Sequence, residues 1–147
     1  MKHFLKTALA AAAALLSAGA ALAEITIGVS VPLTGPASGQ GIPMSNGVKM
    51  WPATIGGEKV RVVILDDATD PTKGTQNARR FVNEDKVDVI VGSGATPVAI
   101  AMAEVAAESK TVQLALSPVG LPPGKDGWTF RLPQSNGVMA NAMVAHM

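Results

Sequence analysis

Four short runs dominated by β-branched and aliphatic residues punctuate the chain: Ile25–Val31 (ITIGVSV), Lys59–Leu65 (KVRVVIL), Val87–Val91 and Val112–Leu116. A strand wetted on one side alternates polar and apolar residues, whereas runs that are apolar on both faces belong to parallel strands covered from both sides. Parallel neighbours need long crossovers, and the segments between these runs have helical length and spacing. The fold class that follows is α/β, a doubly wound parallel sheet.

The first run is followed by a glycine-rich loop, Leu33–Gly41 (LTGPASGQG), and then by a weak helical segment from about Pro43 to Trp51, ended by Pro52. After the second run, Asp70-Pro71 opens a helix, since aspartate caps free amides and proline suits the first helical position. That helix extends to about Asp85, with Ala78, Phe81 and Val82 at core spacing and Arg79, Arg80 and Glu84 outside. A third helix spans Pro97 to about Ser109. Beyond the fourth run come a loop rich in proline and glycine, Ser117–Gly127, a short strand, Trp128–Leu132, and a helical tail from about Asn136. Met139, Met143 and Met147 recur on that tail at helical spacing, as core residues do.

The N-terminus does not belong to the fold. Lys2, His3 and Lys6 precede an apolar run, Ala8–Leu16, and small residues lead to Ala21-Leu22-Ala23, the layout of a secretory signal peptide cut before Glu24. The run is too short for a membrane span. Cutting there leaves 124 of the 147 residues; losing Lys2 and Lys6 from twelve basic residues leaves ten against eleven acids. A near-neutral chain without a basic cluster argues against nucleic acid as a partner. With no cysteine in an exported protein, a hydrophobic core must hold the fold.

Ligands of such sheets bind where strand-to-helix loops leave the carboxyl edge. The joint Gly92–Thr96 holds no acid, base or thiol. With Thr96 as N-cap and Pro97 as the first helical residue, the amides of Val98 and Ala99 have no helical partner, and free amides together with the macrodipole favour an anion. Two readings stand side by side: a small carboxylate docks there, or Thr96 only caps its helix and the glycines only permit packing. A nucleotide loop fits worse, because proline replaces the third glycine of G-x-G-x-x-G and no Walker lysine is present. The carboxylates Asp66, Asp67 and Asp70 read as a strand end and a helix cap, with no histidine beside them to make a metal site. No Ser-His-Asp set can be assembled, so no catalytic or metal-ligating residue and no cofactor is expected.

The segments ITIGVSVPLTGPASGQG, VVILDDATDPTKGTQNARRFVNEDKVDVIVG, LALSPVG and WTFRLPQSNG, in that order, resemble the periplasmic leucine/isoleucine/valine-binding proteins of ABC transporters, which have the type I periplasmic binding fold. The resemblance implies a two-lobed clamp that closes on a small solute and presents it to a membrane permease. Residues 1–23 would be the signal peptide and residues 24–147 an incomplete N-terminal lobe, the chain stopping in the helix after Gln134. By the same resemblance Gly94, Ala95 and Thr96 receive the ligand's α-carboxylate, and Val119, Gly120 and Leu121 fall where the family contacts the α-ammonium. Leu121 replaces a frequent hydroxyl residue, which makes a carboxylate or amide without an ammonium admissible. Gln40 falls where many members place an aromatic wall, and Thr69 and Ala95 stand where some carry a disulfide.

The implied function is a non-catalytic periplasmic solute-binding component of an ABC importer, monomeric, with a branched-chain amino acid or a related small carboxylate or amide as ligand and an ABC permease as partner. A ligand-sensing lobe of a receptor or regulator uses the same fold and is the alternative.

Overall fold

The computed structural model describes residues 24–147; the leader read over residues 1–23 lies outside the described residues. The aliphatic runs assemble into one six-stranded sheet: β1 (Glu24–Val31), β2 (Thr54–Ile55), β3 (Glu58–Asp66), β4 (Val89–Gly92), β5 (Val112–Ala115) and β6 (Thr129–Arg131), in the order β2-β3-β1-β4-β5-β6. Every pairing among β3, β1, β4, β5 and β6 is parallel, as the unbroken apolar runs require, and β2 adds an antiparallel edge. That edge is a two-residue piece turning through Gly56 and Gly57, too short to leave a periodic trace in sequence.

Four helices accompany the sheet: α1 (Ser38–Val48), α2 (Pro71–Arg80), α3 (Thr96–Ser109) and α4 (Asn136–Ala145). The helix α2 begins as read, with the Asp70 carboxylate accepting the Thr72 amide at 2.7 Å, and a π-helical turn, Phe81–Asp85, extends it. By contrast, α1 starts five residues before Pro43 and absorbs Ser38, Gly39, Gln40 and Gly41 from what the sequence presents as a loop. A proline in the second turn forfeits a single hydrogen bond, which tertiary contact can offset. Gly41 supplies that contact, for a Cβ there would run into the Pro32 carbonyl.

Two apolar layers flank the sheet. On one side Ala78, Phe81, Val98, Met102 and Val105 from α2, its extension and α3 pack with Val87 and Ile90, against Val63 and Leu65. Phe81 lies flat against Gly28, where a Cβ would meet its ring. Burial of such a side chain contributes about 1.5–3 kcal/mol. On the other side Ile27, Val29, Val31 and Val91 meet Val48 and Met44 of α1, while Ile25, Val60, Val62, Ile64, Val89, Leu114 and Leu116 are only half-buried.

One expectation fails here. Met139, Met143 and Met147 are 41%, 70% and 103% exposed, and α4 buries no residue. Helical spacing aligns apolar residues on one face, but no described element lies over that face to make it a core. No described helix is long and apolar enough to cross a membrane.

Candidate functional site

Strand order reverses at β1: the chain passes from β1 to β3 on one side and then crosses to β4 on the other. Loops leaving β1 and β4 therefore diverge at their carboxyl ends and open the crevice in which doubly wound sheets hold ligands. The β4 exit, Ser93–Ala95, is that crevice's floor. Gly92 makes the exit possible: its φ of +131° and its contact with the Ser30 carbonyl leave no room for a Cβ.

The junction enters α3 one residue earlier than its sequence implies. Ala95 is the N-cap, with extended backbone (φ −92°, ψ 117°), and Thr96 is the first helical residue, so its hydroxyl does not cap the helix. The Ala95 amide donates to Ser93 Oγ at 3.1 Å, and the Ala99 amide donates to the Ala95 carbonyl at 3.0 Å. Ala99, read as a free donor, is thus already engaged. The amides of Thr96 and Val98 precede the helical ladder, Pro97 has none, and Thr96 is half-buried at the crevice. A short anion placed before this turn meets two oriented N–H groups, one hydroxyl and the positive end of a fourteen-residue helix.

Two buried polar networks fix the junction from below. In the first, Asp67, with 0% exposure, accepts from Ser30 Oγ at 3.2 Å and from the Thr69 amide at 3.0 Å, and also from the Ser93 hydroxyl. Asn77 of α2 donates to Ser30 Oγ and to the Asp66 carbonyl, both at 3.1 Å. In the second, Gln113 of β5, also fully buried, donates to the Gly92 carbonyl at 2.9 Å and to the Ala99 carbonyl at 3.0 Å, and accepts from Thr129 Oγ1 at 3.1 Å. Ser93 and Gln113 carry no signal in the sequence, because Asp67, Gly92, Ala99 and Thr129, which they bond, are brought to them only by the fold.

Burial pushes the Asp67 carboxyl above its ordinary value; hydrogen bonds from Ser93, Thr69 and Ser30 only partly oppose this, and the neighbouring Asp66 charge adds to it. In Asp66 desolvation also acts upward, but the Thr34 hydroxyl and the amides of Ala68, Thr34 and Leu33 outweigh it and hold the group low. Those bonds tie the β1 exit loop to the end of β3, with Asp66 Oδ1 accepting from Leu33 and Ala68 at 2.8 Å each. The aspartates are therefore spent on loop and cap geometry, as their sequence context implied.

Of the other residues singled out in sequence, Gly94 sits against α1, where a Cβ would approach Met44 Sδ to 2.9 Å. Gln40 is exposed in the first turn of α1, one turn before Met44 on the same stripe. Met44, which carried no sequence signal beyond its apolarity, is thus the α1 side chain that reaches the junction. It also lines an apolar cavity of about 240 Å³ with Gly47, Val48, Trp51, Val91 and Leu116. Val119 and Leu121 line a separate, polar pocket of about 60 Å³ with Asp126, Thr129 and Arg131, and the Val119 carbonyl accepts from Arg131 Nη1 at 3.0 Å. Gly120 is exposed between them. Ser117 Oγ, buried at the β5 exit, has no hydrogen-bond partner among the described residues.

Comparison with known proteins agrees with this architecture. The Leu/Ile/Val-binding protein homolog 3 of Brucella melitensis is 34% identical over 122 residues, covering 79% of this chain and 33% of the relative. A crystallised extracellular ligand-binding receptor of Rhodopseudomonas palustris superposes with a TM-score of 0.83 at 42% identity, over 85% of this chain and 35% of its own. An ABC-transporter solute-binding protein of Rhodopseudomonas palustris, crystallised with 3,4-dihydroxybenzoic acid, matches with a TM-score of 0.68 at 28% identity, over 74% of this chain and 31% of its own. The chain spans about a third of the length of these relatives. The family profile described as periplasmic binding protein matches residues 24–147, the whole of the described fold. From Glu24 onward the chain belongs to the periplasmic binding protein family and carries its type I fold.

Proposed function

We propose that this chain forms the N-terminal jaw of a periplasmic solute-binding component of an ABC importer, and that the jaw grips the carboxylate of a small solute at Gly94, Ala95 and Thr96. The observation that carries the reading is the helix end at the switch point, entered through Gly94, which packs against Met44, a residue that also lines the apolar cavity. An anionic head and an apolar tail are the two features such a pair of surfaces recognises. Relatives named for leucine, isoleucine and valine, and one crystallised with an aromatic acid, both fit that description.

Binding is non-catalytic: Asp66, Asp67 and Asp70 are committed to internal hydrogen bonds, and no nucleophile–base pair is brought to the carboxyl edge among the described residues. Capture would depend on closure against a second lobe, delivery on a membrane permease, and export to the periplasm on the leader read over residues 1–23. The site residues Gln40, Val119, Gly120 and Leu121 would form the rim around the bound solute, with the jaw acting as a monomer.

One jaw buries only part of a ligand, so the expected affinity of the purified chain for small carboxylates and branched-chain amino acids is about millimolar. Calorimetric titration against a panel of both classes tests this. Micromolar binding by the monomer would contradict the single-jaw reading, and complete indifference to every carboxylate at millimolar concentration would contradict the assignment of the site.

A further inference from the structure

We infer that Asp67 regulates the proposed carboxylate site through its charge: the site takes an anion best when Asp67 carries a proton, so that solute capture and proton uptake are linked. The inference rests on the reading of Gly94–Thr96 as the carboxylate grip and adds its regulation. Asp67 follows β3 directly and is wholly buried. The Ser93 hydroxyl donates to its carboxylate, and Ser93 Oγ accepts the Ala95 amide at 3.1 Å. Two hydrogen bonds in series thus separate the carboxylate from the N-cap of α3, a span of about 6 Å.

Among the described residues no cation pairs with Asp67. Its donors, Ser30 from β1, the Thr69 amide and Ser93 from the β4 exit, are all neutral. Asn77 of α2, which donates to Ser30 Oγ, is neutral too, while Lys73, Arg79 and Arg80 of that helix are exposed. The α3 helix presents no charged residue before Glu104. The charged groups next to Asp67 are acids: Asp66, whose charge acts on it, and Asp70, whose amide donates to the Asp67 carbonyl at 2.8 Å. An ionised Asp67 is therefore an unpaired negative charge near the positive end of α3, and it draws on the same potential that would hold a bound anion. Two like charges separated by little more than this span weaken binding by about tenfold. Burial already disfavours the charged form of Asp67. Linkage makes the effect reciprocal, so a bound anion tightens the hold of Asp67 on its proton.

The test titrates 4-methylpentanoate into the native chain and into Asp67→Asn by ligand-observed NMR, at steps from about pH 5 to about pH 8. Taking the ratio of the two affinities at each pH removes the ionisation of the ligand itself. Asp67→Asn, neutral throughout, is expected to bind about tenfold tighter than the native chain at the alkaline end, with the gap closing toward acid. A purely structural Asp67 predicts the reverse, since the variant would loosen Ser93 and bind more weakly. The second readout needs no variant: in the native chain the Asp67 carboxyl carbon resonance should titrate at higher pH when 4-methylpentanoate is bound, and it decides alone should the variant not fold. A folded variant that binds no tighter at any pH, or an Asp67 resonance whose midpoint ignores the ligand, would overturn the inference and leave the grip standing. Failure of 4-methylpentanoate to bind the native chain at any pH would remove the grip and its regulation together.

Discussion

Asp67 is the residue on which the geometry of the junction turns. It is fully buried, and its carboxylate receives hydroxyls from both Ser30 and Ser93 while Ser93 in turn receives the Ala95 amide. Asp67→Ala strands these donors, and a loss of about 2–4 kcal/mol is expected in chemical denaturation. The pH dependence has a definite sign. Burial raises the carboxyl's value in the folded chain, so the native state holds this proton more tightly than the unfolded one, and stability falls as pH rises from about 4 through the raised value. Asp66 acts oppositely, its contribution being present at neutral pH and lost as pH drops below the ordinary carboxylate range. Denaturation midpoints measured across this range should therefore flatten in Asp67→Asn at the neutral side and in Asp66→Asn at the acid side. Neither role was legible in sequence beyond the strand end, because the bonds that set it, Asp67 with Ser30 and Asp66 with Leu33, join residues more than thirty apart along the chain. Asp70 was legible because its partner, Thr72, is two residues away.

At the scale of elements, local signals and tertiary contacts decided different boundaries. The start of α2 followed from Asp70-Pro71, and Asp70→Ala should lower stability by about 1 kcal/mol, measurable by thermal or chemical unfolding. The start of α1 did not follow from Pro43, because its position is fixed by close packing of Gly41 on Pro32, a contact between segments. Likewise Thr96 carried a capping residue's identity, yet the chain turns one position earlier, at Ala95. Met139 and Met143 do stand one turn apart in α4, with Met147 beyond its end, while the partner needed to bury them is absent among the described residues. Amide hydrogen exchange should show this hierarchy directly. Protection in β1 and β4, each flanked by two strands and covered by the core, should approach that of global unfolding, whereas α4 should exchange with little protection.

For the molecule as a whole, the unbroken aliphatic runs predicted the parallel sheet, and the sheet's order places the β1 and β4 exits on either side of one crevice. The location of the candidate site was thus readable from topology plus the bare Gly92–Thr96 joint, whereas Met44, Ser93 and Gln113, which shape it, required the assembled fold. In the function proposed above, Thr96 and the first-turn amides of α3 hold a solute's carboxylate. Backbone amide resonances recorded during titration with 4-methylpentanoate test it most directly. Saturable shifts are expected at Gly94, Ala95, Thr96 and Val98, with affinity weakened about tenfold in Thr96→Val through loss of one hydrogen bond to a charged group. Saturable shifts confined to other surfaces, such as the exposed face of α4, with Gly94–Val98 unmoved, would contradict it.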